Sequence, residues 1–327
     1  MREKWDAPGS SVAVLSNAVA QRTLVIVNPH SRGGATGRRW PALHERVRSA
    51  LGPFEVEMTR GPRDAERLAR EGVRAGVERL VVAGGDGTLS EVAGGLLGAG
   101  LAEYADIGVL PLGTGSDYAR SLGLPRDLDA ALACIAAGSP RRVDAGRARF
   151  RGPRGEERVA CFVNVASFGI SGLVDEIVSR TPRLFGETAA FLFGALGAIL
   201  RYRSQRVCLR VDGEIVHDDG LVLATGANGR WFGAGMHVAP EAALDDGLLD
   251  VVVVRALSRL ALLAKLRKIY AGTHLHDTAV RHARGRVVEA DAPPGLVPLE
   301  LDGEPLGSLP ARLEVLPGAL RVVAPPV

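Results

Sequence analysis

The chain has 327 residues, of which 46% are hydrophobic and 24% charged, with a net charge of +3. These values fit a folded protein and exclude a highly charged disordered one. At roughly 100–200 residues per domain, the length predicts two domains. Aromatic residues make up only 5%, too few for a platform that stacks single-stranded nucleic acid, so no nucleic-acid partner is expected.

Residues 1–21 are charged, then small and polar, and lack the continuous apolar core of a signal peptide. They read as a disordered lead-in. From Thr23 to Val27 the chain reads as a short buried strand. Helical spacing follows over Trp40–Leu51, strand alternation over Phe54–Thr59, and a charged amphipathic helix over Asp64–Ala75. Arg79–Ala83 is a strand that runs into a GGDG turn and a helix from Thr88. Ile107–Leu110 is another strand, followed by a second Gly-rich turn. Strands separated by helices predict a parallel sheet with helices on both faces. Ligands of such sheets bind beyond the carboxyl ends of the strands.

The texture changes near residue 141. Seven arginines with several glycines between Arg141 and Arg158 read as a linker or exposed hairpin. Beyond them come strand-like segments at 158–165, 207–211, 220–226, 248–254, 286–290 and 296–301. Helical stretches interrupt them at about 183–201 and 256–272, and 311–327 is strand-like again. A β-rich second domain, a sandwich or flattened barrel, is expected. The domain limits predicted are 22–145, with 311–327 returning to it, and 146–310. The longest apolar run, Ala189–Leu200, has 12 residues and is followed by Arg201. That is short of the roughly 20 needed to cross a bilayer. It suits a buried helix, or one that lines a lipid site or touches a membrane surface. Cys134, Cys161 and Cys208 form no CxxC pair, which suits a reducing, cytoplasmic setting.

Three polar turns carry the chemistry. In the first, Gly84-Gly85-Asp86-Gly87 links a buried strand to a helix. Glycines let backbone approach a ligand, and a helix N-terminus favours an anion. Thr88 and Glu91 have capping-box spacing, which makes Glu91 structural. The loop is neither a Walker A sequence nor a dinucleotide fingerprint, since Ser90 stands where the third glycine belongs. Asp86 within a phosphate-binding turn implies an intervening Mg²⁺. The second turn is Gly113-Thr114-Gly115-Ser116-Asp117, where Asp117 either caps the following helix or joins a metal network. The third is Asn28-Pro29-His30-Ser31-Arg32-Gly33-Gly34.

AGGDGTLSEV, PLGTGSDYAR and NPHSRGG together resemble the diacylglycerol-kinase catalytic family, which includes soluble bacterial lipid kinases and sphingosine kinases. The resemblance continues through GANGRWFGAGMHVAPEAALDDGLLDVVVV, LELDGEPL and ARLEVLPGALRVVAPP. It implies a three-layer α/β domain, like that of phosphofructokinases and NAD kinases, and a β-rich sandwich. ATP would bind between them and the γ-phosphate would pass to a lipid hydroxyl, diacylglycerol first. By matched positions, Asn28, Thr59, Gly84, Gly85, Asp86, Gly87, Thr88, Leu89, Ser90 and Thr114 would contact nucleotide, and Asp86 would work with Mg²⁺. Asp246, with the carbonyls of Ala243 and Leu248, would hold a structural Mg²⁺. In the Asp302-Gly303-Glu304 turn one carboxylate would take the proton. Glu304 is favoured with Asp302 in support, although the motif alone does not separate them. The implied partner is a lipid at the inner membrane surface, and a homodimer is left open. The chain departs from the family at Ser116, where Asn is usual, and at Arg32, where Gly is frequent.

Two features imitate functional motifs. Asp212-Gly213 copies the catalytic turn but reads as a plain hairpin. His274, His276 and His282 lie close together without a partner carboxylate pair at ligand spacing, and are expected at a surface or helix end.

Overall fold

The computed structural model describes residues 21–113, 116–138, 140–180 and 187–325. The expected lead-in, save Gln21, and Thr114 lie outside the described residues.

Four strands, β1 (Thr23–Val27), β2 (Glu55–Met58), β3 (Arg79–Gly84) and β4 (Asp106–Pro111), pair in parallel in the order β2-β1-β3-β4. The alternation of side chains along β1 sends neighbours to opposite faces. Leu24 and Ile26 join one core with α2 (Asp64–Arg74) and α3 (Asp86–Gly98). Val25 and Val27 join another with Trp40, Leu43 and Val47 of α1 (Ser31–Leu51) and with Leu132 and Ile135 of α5 (Leu128–Ala137). Arg32, Gly33 and Gly34 are left-handed, so the regular helix of α1 begins after the third polar turn, closer to the predicted start at Trp40. A short helix, α4 (Asp117–Ser121), follows the second turn.

The Arg-rich segment is a hairpin of β5 (Pro140–Arg151) and β6 (Glu157–Phe162). It is no loose linker. Its arginines alternate outward, and Arg147 and Arg149 pair with Glu314 and Glu157, while Ala148 and Phe150 point into the core. Then follow β7 (Val165–Gly169), α6 (Ile170–Arg180), α7 (Glu187–Arg201), β8 (Gln205–Val211), β9 (Glu214–Ala227), β10 (Leu249–Arg255) and α8 (Arg259–Ala271). The last strands are β11 (Val280–Gly285), β12 (Val287–Asp291), β13 (Pro298–Leu301) and β14 (Glu304–Val323). The helix predicted near 183–201 is α7, and it packs against α6, which the sequence pattern did not predict, through Val174, Ala195 and Ala198.

The sheet is continuous and mixed, in the order β11-β10-β9-β7-β13-β14-β4-β3-β1-β2. The 20-residue β14 joins the halves: it runs antiparallel to β5, β12 and β13, and its end meets β4 in parallel at Val322 and Ile107. The expected boundaries at 145 and 311 therefore fall within β5 and β14. The β-rich half wraps a core that includes Phe150, Phe162, Phe168, Leu209 and Leu313.

The first two Gly-rich turns meet backbone to backbone. A Cβ at Gly113 would stand 2.4 Å from the Gly85 Cα. Such overlap with main chain cannot be relieved by a rotamer change. Gly113→Ala should therefore destabilise the protein by about 1–3 kcal/mol, read as a lower midpoint in thermal or urea unfolding.

Candidate active site

The parallel order places the ends of β2, β1, β3 and β4 side by side, and the polar turns with them. Asn28 ties two of the turns together. Its Nδ2 donates to Thr88 Oγ1 at 2.9 Å, its Oδ1 accepts from the His30 N–H at 3.0 Å, and its own N–H donates to the Ala83 carbonyl. Thr59 is buried beside them and donates its N–H to the Val27 carbonyl at 2.9 Å. Gly84 is required because a Cβ there would lie 2.6 Å from Thr88 Oγ1. Leu89 enters the core, so only its backbone is available to a ligand.

Glu91 does not complete a capping box on its own helix. Its carboxylate accepts from the N–H groups of Arg63 at 2.8 Å and Ala65 at 3.1 Å, and so caps the start of α2. The structural role expected for Glu91 holds, with a different helix as beneficiary. The spacing rule sees only local partners, whereas this partner comes from 28 residues away in sequence.

Asp86 faces the second turn. Its Oδ2 accepts from the Asp117 N–H at 2.8 Å and its Oδ1 from the Tyr118 N–H at 3.2 Å. Asp86, and not Asp117, is therefore the acidic cap of α4. Asp117 is left for other work: its Oδ2 accepts from the Gly235 N–H at 3.3 Å, and its Oδ1 lies 3.4 Å from an Arg120 nitrogen. That Oδ1 is buried with no hydrogen-bond partner among the described residues. Burial pushes the Asp86 carboxyl up to about 6, with the charges of Asp117 and Asp302 adding to it and the two N–H groups opposing it. Burial likewise raises Asp117. Crowded carboxylates with an orphaned oxygen suit a hard divalent cation, so the residues fit the Mg²⁺ implied for this turn.

The Asp302-Gly303-Glu304 turn separates its two carboxylates by environment. Asp302 has φ of 51° and Gly303 of 84°, the left-handed pair of a tight hairpin. Asp302 Oδ2 accepts from Ser90 Oγ at 2.7 Å and the Val163 N–H at 2.9 Å. Its Oδ1 accepts from the N–H groups of Asn164 at 2.9 Å and Val165 at 3.0 Å. Both oxygens are thus fully engaged. Glu304 is exposed and stands opposite Gly87, whose added Cβ would come 4.0 Å from Glu304 Oε1. Partial burial raises its carboxyl, and the nearby Glu91 and Asp302 charges raise it further, against Arg63.

The other expected cation site lies in the loop before β10. Asp246 Oδ1 accepts from the Leu248 N–H at 3.0 Å, and Oδ2 is bonded to Arg284. A guanidinium thus already supplies the positive charge beside Asp246, and a cation on Asp246, Ala243 and Leu248 requires Arg284 to withdraw. Asp144, which the sequence did not single out, holds this loop: its carboxylate accepts from the N–H groups of Gly247 and Gly318, both at 2.7 Å. It carries no signal in the sequence, where it is one residue of an Arg-rich strand. Of the histidines, His282 Nε2 bonds Asp250 at 2.8 Å and His274 Nε2 the Val238 carbonyl at 2.9 Å. Among the described residues, no three His, Cys, Asp or Glu side chains form a metal cluster.

A pocket opens from this acidic centre. Asp86, Asp117, Asp302 and Gly303 stand on its acidic side, and mostly apolar side chains from α6, α7, α8 and β9 line the remainder. Of its walls only α7 stood out in the sequence, as the apolar run at 189–200 whose Ala195 and Ile199 line the pocket; the others come from segments scattered over the second half.

Comparison with known proteins bears on this arrangement. Residues 22–148 match the model of the diacylglycerol kinase catalytic domain, and residues 164–324 that of the YegS C-terminal NAD kinase beta sandwich-like domain. A Chromohalobacter salexigens protein named "Probable lipid kinase YegS-like" is 36% identical over 86% of this chain and 86% of its own. A Pseudomonas putida protein of the same name is 34% identical over 87% of this chain and 92% of its own. The chain belongs to the diacylglycerol-kinase catalytic family. In fold, it is similar to the crystal structure of a diacylglycerol kinase from Bacillus anthracis str. Sterne, with TM-score 0.69 and 22% identity, over 94% of this chain and 97% of that one. Yeast NADH kinase shares the fold more distantly, at TM-score 0.51 and 10% identity, over 94% of this chain and 84% of that one.

Two predictions follow from the electrostatics. Native Asp86 binds a proton more readily than the unfolded chain does, between the ordinary carboxylate range and about pH 6. Its contribution to stability is therefore present at acid pH and lost as pH rises across that window. In EDTA, melting of the wild type should fall more between pH 4 and pH 6.5 than that of Asp86→Ala; parallel profiles would remove the assignment. Separately, Asp302→Ala orphans four donors and should cost about 3 kcal/mol or more in urea unfolding.

Proposed function

We propose that this chain is an ATP-dependent lipid kinase that transfers the γ-phosphate of ATP to a lipid hydroxyl, with diacylglycerol giving phosphatidic acid as the first acceptor to test. The observation that carries the reading is the union of three things at one point: Gly-rich turns on a parallel sheet, a free carboxylate at Glu304, and an apolar pocket ending beside it.

The residues divide the work of phosphoryl transfer, which is mostly positioning and charge neutralisation. Gly84–Ser90, with Asn28 and Thr59 around them, receive the nucleotide phosphates, and α3 directs its N-terminus at the anion. Asp86 and Asp117 would hold Mg²⁺, which when bound neutralises charge on the phosphates. Asp246, Ala243 and Leu248 would hold a second, structural Mg²⁺ in exchange for Arg284. Glu304 accepts the proton of the acceptor hydroxyl, and its raised carboxyl is better suited to that than an ordinary one. Asp302, with both oxygens occupied, fixes the turn that presents Glu304.

The apolar pocket favours a lipid over a sugar phosphate or dinucleotide acceptor. The lipid must come from a bilayer, and α7 supplies a docking face. Its Ala195 and Ile199 line the pocket, while Phe193 and Leu200, each 59% exposed and seven residues apart, share the outer face. Leu260 of α8 is 80% exposed nearby in sequence to Arg259, and Arg267 and Lys268 are also exposed. Exposed apolar side chains flanked by basic ones suit an anionic membrane surface. Among the described residues, no helix is long and apolar enough to cross a membrane.

Glu304→Ala should retain its melting midpoint and ATP binding while losing at least about 100-fold in kcat for lipid phosphorylation in mixed micelles. A near-normal rate would remove the base assignment. Phe193→Asp combined with Leu200→Asp should lower binding to anionic vesicles, measured by sedimentation, with ATP binding retained. Unchanged vesicle binding in the folded variant would dismiss the docking face.

A further inference from the structure

The pocket contains a carboxylate that phosphoryl transfer does not use. Glu300 of β13 is 3% exposed, yet it lines the pocket. Its neighbours Leu299 and Leu301 point into the β-rich core, so strand alternation turns Glu300 to the opposite, pocket-facing side. It lies across from Ser167 of β7, which in turn lies across from Thr225 of β9. Three buried polar side chains therefore form a row beneath α6. Ser167 Oγ donates to Glu300 Oε1 and lies 2.7 Å from Ser171 Oγ. That leaves Glu300 Oε2 buried with no partner among the described residues, and Thr225 Oγ1 equally so.

A buried carboxylate oxygen without a donor costs free energy unless something supplies one. No side chain within the described residues does. The pocket's other lining is largely apolar, and its two ammonium groups, Lys265 and Lys268, are held by Asp277, so the missing donor is left to what enters the pocket. Glu300 stands two residues before Asp302, hence about 7 Å from it along the strand. A group bound there lies beside the hydroxyl that Glu304 deprotonates.

We infer that Glu300 is a specificity-determining residue, whose free oxygen accepts a hydrogen bond from a second donor group, a hydroxyl or an ammonium, on the head of the acceptor lipid. The inference rests on the lipid-kinase reading and narrows it. Diacylglycerol has one free hydroxyl and leaves Glu300 Oε2 unpartnered. A monoacylglycerol, with two hydroxyls, or a long-chain amino diol, with an ammonium and two hydroxyls, satisfies it. A site built to bond a donor discriminates against an analogue that lacks it, because its own buried polar group is then left unpaired.

The test measures kcat/KM for dioleoylglycerol, monooleoylglycerol and a long-chain amino diol in mixed micelles, using labelled ATP. Wild type, Glu300→Gln and Glu300→Leu are compared after their folding is checked by melting. The wild type should favour at least one two-donor lipid over diacylglycerol, and which one separates hydroxyl from ammonium recognition. Gln is nearly isosteric: its carbonyl can still accept from Ser167, which turns an amide donor toward the substrate. The two-donor to one-donor ratio should therefore fall at least tenfold in Glu300→Gln, which a merely structural role would not produce. Glu300→Leu should abolish the preference. Wild-type preference for diacylglycerol, or a ratio independent of residue 300, overturns this inference while leaving the lipid kinase intact. Failure of the wild type to label any lipid overturns the lipid-kinase reading, and this inference with it.

Discussion

The structure turns on the carboxylate of Asp302. Three of its four donors are successive N–H groups at the entrance to β7, and the fourth is the hydroxyl of Ser90 on α3. One side chain thereby joins the β-rich half to the helix that begins at the first Gly-rich turn. The same bonds fix the left-handed hairpin after β13, and with it the place where Glu304 emerges opposite Gly87. A carboxylate that accepts four hydrogen bonds is poorly placed to take a proton from a substrate, which is why the proposed function gives that task to its neighbour two residues on. Structural and chemical duties are thus divided within three residues.

A second carboxylate works in the same way between the Gly-rich turns. Asp86 holds the first two N–H groups of α4 and so joins the first Gly-rich turn to the second. Both turns depend on glycine where they touch, because backbone fills the space that a side chain would need. Burial raises both the Asp86 and the Asp117 carboxyl, and at Asp86 the nearby charges of Asp117 and Asp302 raise it further. That penalty is what a divalent cation and its bound polyphosphate would relieve.

Much of the first half was legible in the sequence, because buried strands and Gly-rich turns write local signals. β1, β3 and β4 appear where their apolar runs lie, and the turns between them sit at one edge. Asn28, Thr59, Gly84 to Gly87, Thr88 and Ser90, expected to contact nucleotide, do come together there. Less legible were interactions between distant segments. Glu91 has the spacing of a local cap but serves α2, and Asp117 has the position of a cap that Asp86 fills. The two Asp-Gly turns make the limit clear. Asp212 is left-handed, and its carboxylate accepts from the N–H groups of Arg286 and Val287, much as Asp302 accepts from the entrance to β7. Locally the two turns are alike, and only the strand order places one of them at the cleft. Glu300 and Asp144 carried no signal at all, since burial beside a polar partner cannot be read from one strand.

The most direct test of the account is transfer of labelled γ-phosphate from ATP and Mg²⁺ to a panel of lipids in mixed micelles, with NAD and fructose 6-phosphate alongside. The account predicts a labelled lipid and no labelled soluble acceptor. Label confined to a soluble acceptor, or none at all from a protein that binds ATP, would contradict it.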